Sequence, residues 1–248
     1  MLIRHPVLLA ALLLARPAVA EVPLPPPRPD RPPPAAEPAP SPLEPAPTPA
    51  PLPPERPAEL PAGPVTPVVP DDTACLRRLD RLGVKAEPLP PLSDGLCGAP
   101  KPLRVTELPD GVLVSPAATL TCQATEALAR WSTEVRVLAE RGLGYAPRSV
   151  RIATSYECRG QNRDPEAKLS EHAFANAVDI VGFTFEGRDP VTIGTEADGT
   201  PEAAFQAAVQ AKACAFFRTV LGPGSDAAHG NHLHLDERER PAGHRLCQ

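Results

Sequence analysis

Aromatic residues are scarce in this 248-residue chain, and one long segment contains none. Six Phe, two Tyr and one Trp make up 4% of the chain, and all of them lie in residues 71–248. Residues 21–70 contain 22 prolines and no aromatic residue. Because such a segment cannot bury enough apolar surface to offset the entropy of ordering it, we expect residues 21–70 to be a disordered, Pro-rich linker. Residues 71–248 are then one domain, large enough for a hydrophobic core.

Long hydrophobic runs are missing beyond position 20. The apolar run from Val7 to Ala15 is less than half the roughly 20 residues that a transmembrane helix requires. Arg4 precedes it, and Ala18-Val19-Ala20 form a small-residue cleavage pattern. We therefore expect residues 1–20 to be a signal peptide rather than a membrane anchor, and the mature protein to be periplasmic or secreted, with no membrane span.

An excess of positive charge is also missing. The chain has 25 Lys and Arg residues against 30 Asp and Glu residues, a formal net charge of -5. Because nucleic-acid binding needs a basic surface, this charge argues against nucleic acid as a partner.

None of the six cysteines forms a C-x-x-C pair, which argues against a thiolate metal site. In an exported chain, disulfides are the more plausible use of these residues. Their pairing is open from sequence, but Cys75 and Cys97 bracket a Pro-rich loop, and we expect them to pair.

Helical and strand patterns are mixed along residues 71–248 without a regular strand-helix-strand rhythm. Apolar spacing predicts helices over 72–82, from Ser115-Pro116 to about 140, and over 201–220. Strands are predicted at 103–108, 111–115, 149–156, 175–185, 190–194 and 232–236. We therefore predict an α+β fold in which helices pack on a central, mostly antiparallel sheet.

Histidine is rare but concentrated at one place. Three of the six histidines, at 229, 232 and 234, fall within HGNHLHLD. Residues i and i+2 of a strand share a face, so His232 and His234 should point to one side while the leucines between them point to the core. Upstream, Asp179 lies in an apolar strand pattern, where an unpaired carboxylate would be costly.

Two histidines, one carboxylate and an open position are typical of a catalytic zinc site, whereas Ca²⁺ and Mg²⁺ prefer more oxygen ligands. The alternatives are histidines that only decorate an exposed strand, and an Asp179 held in a structural hydrogen-bond network.

The domain also resembles a known family. The strings CLRRLDRLGV, LTCQATEALARW, SYECRGQN, LSEHAFANAVDI, CAFFRTVLGPG and HGNHLHLD are similar to the bacterial extensin-like C-terminal domain family, over nearly all of residues 71–248. The pattern S-x-H-x(6)-D followed by H-x-H further resembles zinc peptidases, namely D-alanyl-D-alanine carboxypeptidases and penicillin-insensitive murein endopeptidases. This resemblance implies a zinc-peptidase-like fold with Zn²⁺ as the cofactor and peptidoglycan as the substrate.

Carried over by position, the resemblance implies that His172, Asp179 and His234 bind the zinc ion. His232 would be the general base, in the place where many relatives have a Glu. His229 would be an extra ligand or a substrate contact.

Ser170 would be a further substrate contact, and Arg159 would hold a substrate carbonyl or carboxylate unless it is merely a solvated loop residue. Two features depart from the peptidase pattern. Ala175 replaces the usual glycine four residues before the aspartate, and Arg159 is displaced from the end of the Ser-x-Tyr strand.

Three hypotheses follow. The first is an exported zinc peptidase that cleaves peptide cross-links in peptidoglycan. The second is a non-catalytic wall-binding or structural protein that retains a zinc site. The third is a disulfide-stabilised module without a metal.

Overall fold

The computed structural model of the chain describes residues 71–248. The signal peptide expected at 1–20 and the linker expected at 21–70 lie outside the described residues. Residues 71–248 contain three α-helices: α1 (Thr73–Arg81), α2 (Cys122–Gly142) and α3 (Pro201–Ala213). The strands are β1 (Lys85–Pro88), β2 (Leu92–Asp94), β3 (Cys97–Ala99), β4 (Leu103–Leu108), β5 (Val112–Leu120), β6 (Pro147–Thr154), β7 (Ala177–Phe185), β8 (Val191–Thr192), β9 (Thr219–Leu221), β10 (Leu233–Asp236) and β11 (Leu246–Cys247).

Nine of these strands form one mixed sheet in the order β1-β4-β5-β6-β7-β10-β9-β11, with β8 paired to β7. Six of its ladders are antiparallel. Two ladders, β5 with β6 and β9 with β11, are parallel. The described domain is therefore α+β with a mostly antiparallel sheet, which confirms the predicted class.

Trp131 of α2 lies at the centre of the core. Its ring is fully buried beside Phe183 of β7 and Phe217, with ring centroids 6.0 and 6.4 Å away. Its indole N–H donates to the carbonyl oxygen of Val209 in α3 at 3.0 Å, so the polar atom of this side chain is satisfied. Sheet and helices thus share one apolar core. None of the helices in residues 71–248 combines the length and apolarity needed to cross a bilayer.

The helix predicted to begin at Ser115-Pro116 begins later, so that prediction was wrong in its boundary. Both residues lie inside β5, and α2 starts at Cys122 after Thr121, whose hydroxyl accepts from the backbone N–H of Ala124 at 3.2 Å. Pro116 is paired with neither neighbouring strand, because the ladder to β6 ends at Ser115 and the ladder to β4 is interrupted between Leu113 and Ala118. A proline without an N–H is tolerated at such an irregularity.

The third helix was predicted to run to Val220, but it ends at Ala213. Thr219 and Val220 instead belong to β9, which pairs with β10. These β-branched residues suit a strand, and β9 supplies the backbone hydrogen bonds that one edge of β10 requires.

Three disulfides join Cys75 to Cys122, Cys97 to Cys158, and Cys214 to Cys247. The predicted pair of Cys75 with Cys97 was wrong. The short β2–β3 hairpin closes the loop around Cys97 by itself. Cys75 instead ties α1 to the first residue of α2.

Candidate metal centre

Two strands place the carboxylate and one imidazole of the site opposite each other. Asp179 of β7 and His234 of β10 are direct cross-strand partners in an antiparallel ladder. Partners of this kind project to the same face of the sheet, because side chains alternate along both strands. Asp179 Oδ1 lies 3.0 Å from Nδ1 of His234, and both side chains are buried.

The second imidazole comes from the 3₁₀ turn Glu171–Phe174, just before β7. The Ser170 hydroxyl caps this turn by accepting from the backbone N–H of His172 at 3.4 Å. Ala175 ends the turn with φ of 53°, a left-handed conformation that allows the chain to enter β7. The peptidase pattern has a glycine at this position; Ala175 replaces it and still adopts a positive φ.

The turn directs His172 into the same place as the other two side chains. Its Nε2 lies 3.0 Å from Asp179 Oδ1 and 3.1 Å from His234 Nδ1. These three atoms come from residues that were predicted from sequence to converge, and the structure brings them together in one buried cluster.

In His172 and His234, the ring nitrogen that points away from the cluster donates a hydrogen bond. His172 Nδ1 lies 2.6 Å from the Ser155 carbonyl oxygen, which can only accept, so Nδ1 carries a hydrogen. His234 Nε2 lies 3.1 Å from the Asp236 carboxylate and donates to it. In the neutral rings, the inner nitrogens therefore present lone pairs to each other and to the carboxylate of Asp179.

Three acceptor atoms that face one point repel one another unless a cation lies between them. Without a metal ion, a proton on His234 can take this place, because Asp179 and Asp236 raise the pKa of that ring. A metal ion bound between the three atoms would replace that proton and remove the repulsion. The outer hydrogen bonds of His172 and His234 are those that orient metal-binding histidines in proteins.

The charges of the cluster are strongly coupled. Burial alone would raise the pKa of Asp179, but hydrogen bonds and charges from His172 and His234 outweigh it and hold that pKa well below its usual range. Burial would lower the pKa of His234, but Asp179 and Asp236 outweigh it and raise the pKa to about 9. The pocket therefore favours cationic occupants, whether protons or a metal ion.

His232 lies one residue before β10 rather than inside it, which corrects the predicted strand boundary. It nevertheless faces the cluster: its Nε2 lies 3.8 Å from Asp179 Oδ1. Its Nδ1 lies 2.9 Å from the Asn231 side-chain oxygen, so Nδ1 donates and Nε2 is free to accept a proton. Burial lowers the pKa of His232.

His229 is buried beside these rings, with centroids 5.3 Å from His232 and 5.7 Å from His234. Its Nδ1 lies 2.8 Å from the Asp226 carboxylate. His229 is not among the three residues whose ligand atoms converge.

Arg159 is held by two carboxylates and is not a solvated loop residue. Its Nε donates to Glu157 at 2.8 Å, and its Nη2 lies 3.5 Å from Asp179 Oδ2. The disulfide between Cys158 and Cys97 fixes the adjacent backbone. The guanidinium is therefore positioned beside the cluster rather than in bulk solvent.

A cavity of about 650 Å³ opens over the cluster. Six of the seven predicted site residues line it, and His172 lies behind them, fully buried. Sequence reasoning missed Asp236, although it follows His234 by two residues and the same strand alternation predicts that it shares the face of that histidine. The role of Ser155 gave no sequence signal, because it acts through its carbonyl oxygen.

The family model for extensin-like protein C-terminus matches residues 73–248. The chain belongs to this family. No curated protein and no solved structure is significantly similar to it. The extensin-like domain thus covers all the residues of the buried cluster and its cavity.

Proposed function

We propose that this extensin-like protein is an exported, zinc-dependent peptidase that hydrolyses amide bonds in peptidoglycan peptides, with cross-links as its target. One observation carries the proposal. Three acceptor atoms converge at 3.0, 3.0 and 3.1 Å below an open cavity.

The ligand set fits zinc in number, type and spacing. Zinc binds imidazole and carboxylate at roughly 2.0–2.2 Å in tetrahedral geometry, which separates the ligand atoms by about 3.3 Å. The observed separations of 3.0 to 3.1 Å are close to this value. Two histidines and one carboxylate leave a fourth position, as catalytic zinc sites require, whereas Ca²⁺ and Mg²⁺ need more oxygen ligands.

A zinc ion held here would supply Lewis-acid chemistry, polarising a carbonyl and lowering the pKa of water toward about 7. His232 accepts the proton of the attacking water at Nε2 and delivers it to the leaving amine. Its hydrogen bond to Asn231 supports this role, since that bond holds the acceptor nitrogen toward the cluster. Arg159 supplies a fixed positive charge beside Asp179, suited to a substrate carbonyl or carboxylate.

We propose peptidoglycan as the substrate for two reasons: the motifs resemble those of murein peptidases, and the protein is expected outside the cytoplasm. The S-x-H-x(6)-D and H-x-H strings resemble those of zinc peptidases that act on murein, and they fall on the residues that form the cluster. Three disulfides in the domain are favoured in an oxidising compartment outside the cytoplasm, where the bacterial wall lies.

The test measures zinc content and release of muropeptides from isolated sacculi. Wild-type protein should hold about one zinc ion and release muropeptides. His172→Ala should lose both metal and activity, and His232→Ala should lose activity while keeping its zinc. The matched control is His244→Ala, because His244 is exposed and does not line the cavity.

Zinc-loaded protein that releases nothing from a range of sacculi would refute the proposal. If it also binds sacculi, and the binding is unchanged in His232→Ala, the non-catalytic wall-binding hypothesis takes its place.

A further inference from the structure

The stretch Glu237-Arg238-Glu239-Arg240 alternates in charge directly after β10. Side-chain alternation sorts the two signs to opposite sides. Glu237 and Glu239 face Arg218, at 3.5 and 3.7 Å. Arg238 and Arg240 line the cavity, and the glutamates do not. The cavity wall thus continues the face that carries His232, His234 and Asp236, and it ends in two arginines.

Neither arginine of this wall forms an ion pair with a carboxylate of residues 71–248. Arg240 donates only to neutral acceptors, the Arg218 carbonyl oxygen at 3.2 Å and the Thr219 hydroxyl at 2.8 Å. Asp236, which lies on the same side of the chain as the two arginines, accepts from the backbone N–H of Arg238 at 2.9 Å and from the ring of His234.

The remaining arginines of the cavity are already matched with carboxylates. Arg159 and Arg163 share Glu157, at 2.8 and 2.6 Å. Of the arginines that line the cavity, Arg238 and Arg240 are therefore the two without an ion-pair partner among the described residues.

We infer that Arg238 and Arg240 form a carboxylate-binding subsite, which holds a free carboxylate of the peptide whose bond lies at the metal centre. The inference rests on the proposed function for the identity of that peptide. Guanidinium groups bind carboxylates through charge-assisted, often bidentate hydrogen bonds, and both side chains are partly shielded by the cavity.

The position of the subsite specifies which carboxylate it takes. Arg238 is four residues beyond His234, which corresponds to about 13 Å for an extended chain. A bound peptide spans that distance with about four residues. The terminal carboxylate of a carboxypeptidase substrate lies only one residue from the cleaved bond, which is too close to that bond to reach Arg238 from the metal centre. The subsite therefore selects peptides with a carboxylate remote from the cleaved bond, as in cross-linked stem peptides.

The experiment measures equilibrium binding and not hydrolysis. The probe is a cross-linked muropeptide with free carboxylates, compared with the same muropeptide after its carboxylates are amidated. The protein is zinc-loaded and carries His232→Ala, so that the probe is not consumed. Arg238→Gln, Arg240→Gln and the double variant are added to this background. Arg104→Gln is the matched control, because Arg104 is an exposed arginine on β4 and does not line the cavity.

Without the arginine substitutions, the protein should bind the acid form about tenfold more tightly than the amidated form. Each substitution should reduce this preference, the double variant should abolish it, and Arg104→Gln should retain it. The preference should also shrink as salt is added. Arg238→Lys should restore part of it, because Lys keeps the charge but not the bidentate geometry.

Equal binding of the two probe forms, or a preference that survives in the double variant, would overturn the inference. Arg240 donates to the Thr219 hydroxyl near the candidate metal centre, so zinc content is measured in every variant. If the double variant loses zinc, the result for the single variant Arg238→Gln decides the test. A protein that prefers the acid form but releases nothing from sacculi would refute the proposed function and leave the subsite intact.

Discussion

The Asp236 carboxylate lies 3.1 Å from Nε2 of His234, on the side of the ring that faces away from Asp179. Asp236 is itself buried and fixed by the backbone N–H of Arg238. It therefore holds the ring of His234 in the orientation and tautomer that a metal ligand needs. Outer carboxylates of this kind typically contribute tenfold or more to metal affinity.

We predict that Asp236→Asn lowers zinc affinity by about 10- to 100-fold, because an amide is a weaker acceptor for the imidazole N–H. A competition titration against a chelator measures the change. Glu239→Gln is the control, since Glu239 is three residues beyond Asp236 and its side chain is 81% exposed. Unchanged affinity in Asp236→Asn would mean that Asp236 does not position the ring.

The raised pKa of His234 predicts how zinc binding depends on pH. In the metal-free protein this pKa is about 9, so below pH 9 a proton occupies the ring and zinc must displace it. Apparent zinc affinity should therefore rise by about tenfold per pH unit as pH increases toward 9, and then level off. Calorimetry in buffers of different ionisation enthalpy should detect the released proton. An affinity that is constant between pH 7 and 9 would contradict this prediction.

The raised pKa of His234 also predicts how the stability of the metal-free domain depends on pH. The pKa of His234 is higher in the folded protein, about 9, than the ordinary histidine value of 6.5. Its contribution to stability is thus complete below pH 6.5 and is lost as pH rises through 9. The melting temperature of chelator-treated protein should fall across this window. In Asp236→Asn the fall should finish at a lower pH, because one of the two carboxylates that raise the pKa is gone.

The convergence of the site could be predicted from sequence because it depends on local rules. An aspartate inside an apolar strand needs a partner, and alternation places His232 and His234 on one side of the chain. The pairing of His234 with Asp179 then follows if the two strands are neighbours, as they are. The same alternation also places Asp236 on this side of the chain, although the H-x-H pattern itself ends at His234.

Other features depend on contacts between distant parts of the chain and gave no local signal. Ser115-Pro116 is typical of a helix start, but Ser115 pairs with Arg151 of β6, and β5 pairs with β4 on both sides of Pro116, so both residues lie in the strand. Cys75 pairs with Cys122 because α1 packs on α2, a tertiary relationship that cysteine spacing does not encode. Local propensity is overridden in both cases by the packing of whole elements.

The disulfide between Cys97 and Cys158 joins the β2–β3 hairpin to the loop that carries Arg159. It closes a separation of 61 residues, and the chain-entropy relation gives about 4 kcal/mol for such a loop. We predict that the double variant Cys97→Ser with Cys158→Ser loses about this much unfolding free energy, as measured by chemical denaturation. Hydrogen exchange of residues 155–163 should also accelerate.

The pair Cys75 and Cys122 provides the matched control, because its separation of 47 residues gives nearly the same entropic contribution. Removing it should cost about 4 kcal/mol without accelerating exchange at 155–163. If both double variants loosen residues 155–163 equally, the bond at Cys158 has no local role in positioning Arg159.

Ala175 occupies a left-handed conformation, with φ of 53°, at the end of the turn that carries His172. Its N–H donates to the His172 carbonyl oxygen at 3.1 Å, and its own carbonyl accepts from Thr121 N–H at 2.7 Å. A left-handed residue other than glycine costs about 1–2 kcal/mol, and glycine loses about 0.5–1 kcal/mol more backbone entropy on folding. Ala175→Gly should therefore range from neutral to stabilising by about 1.5 kcal/mol.

The control for this prediction is Ala207→Gly, the same chemical change at an exposed position of α3, which should cost about 1 kcal/mol. Ala175→Val should cost more than about 2 kcal/mol, because a β-branched side chain is strained at positive φ and the larger side chain would be added at a fully buried position. It should also weaken zinc binding, since the turn can relieve that strain only by moving His172. If Ala175→Gly instead destabilises the domain as much as Ala207→Gly does, the left-handed conformation carries no strain, and the alanine at this position is neutral for the turn.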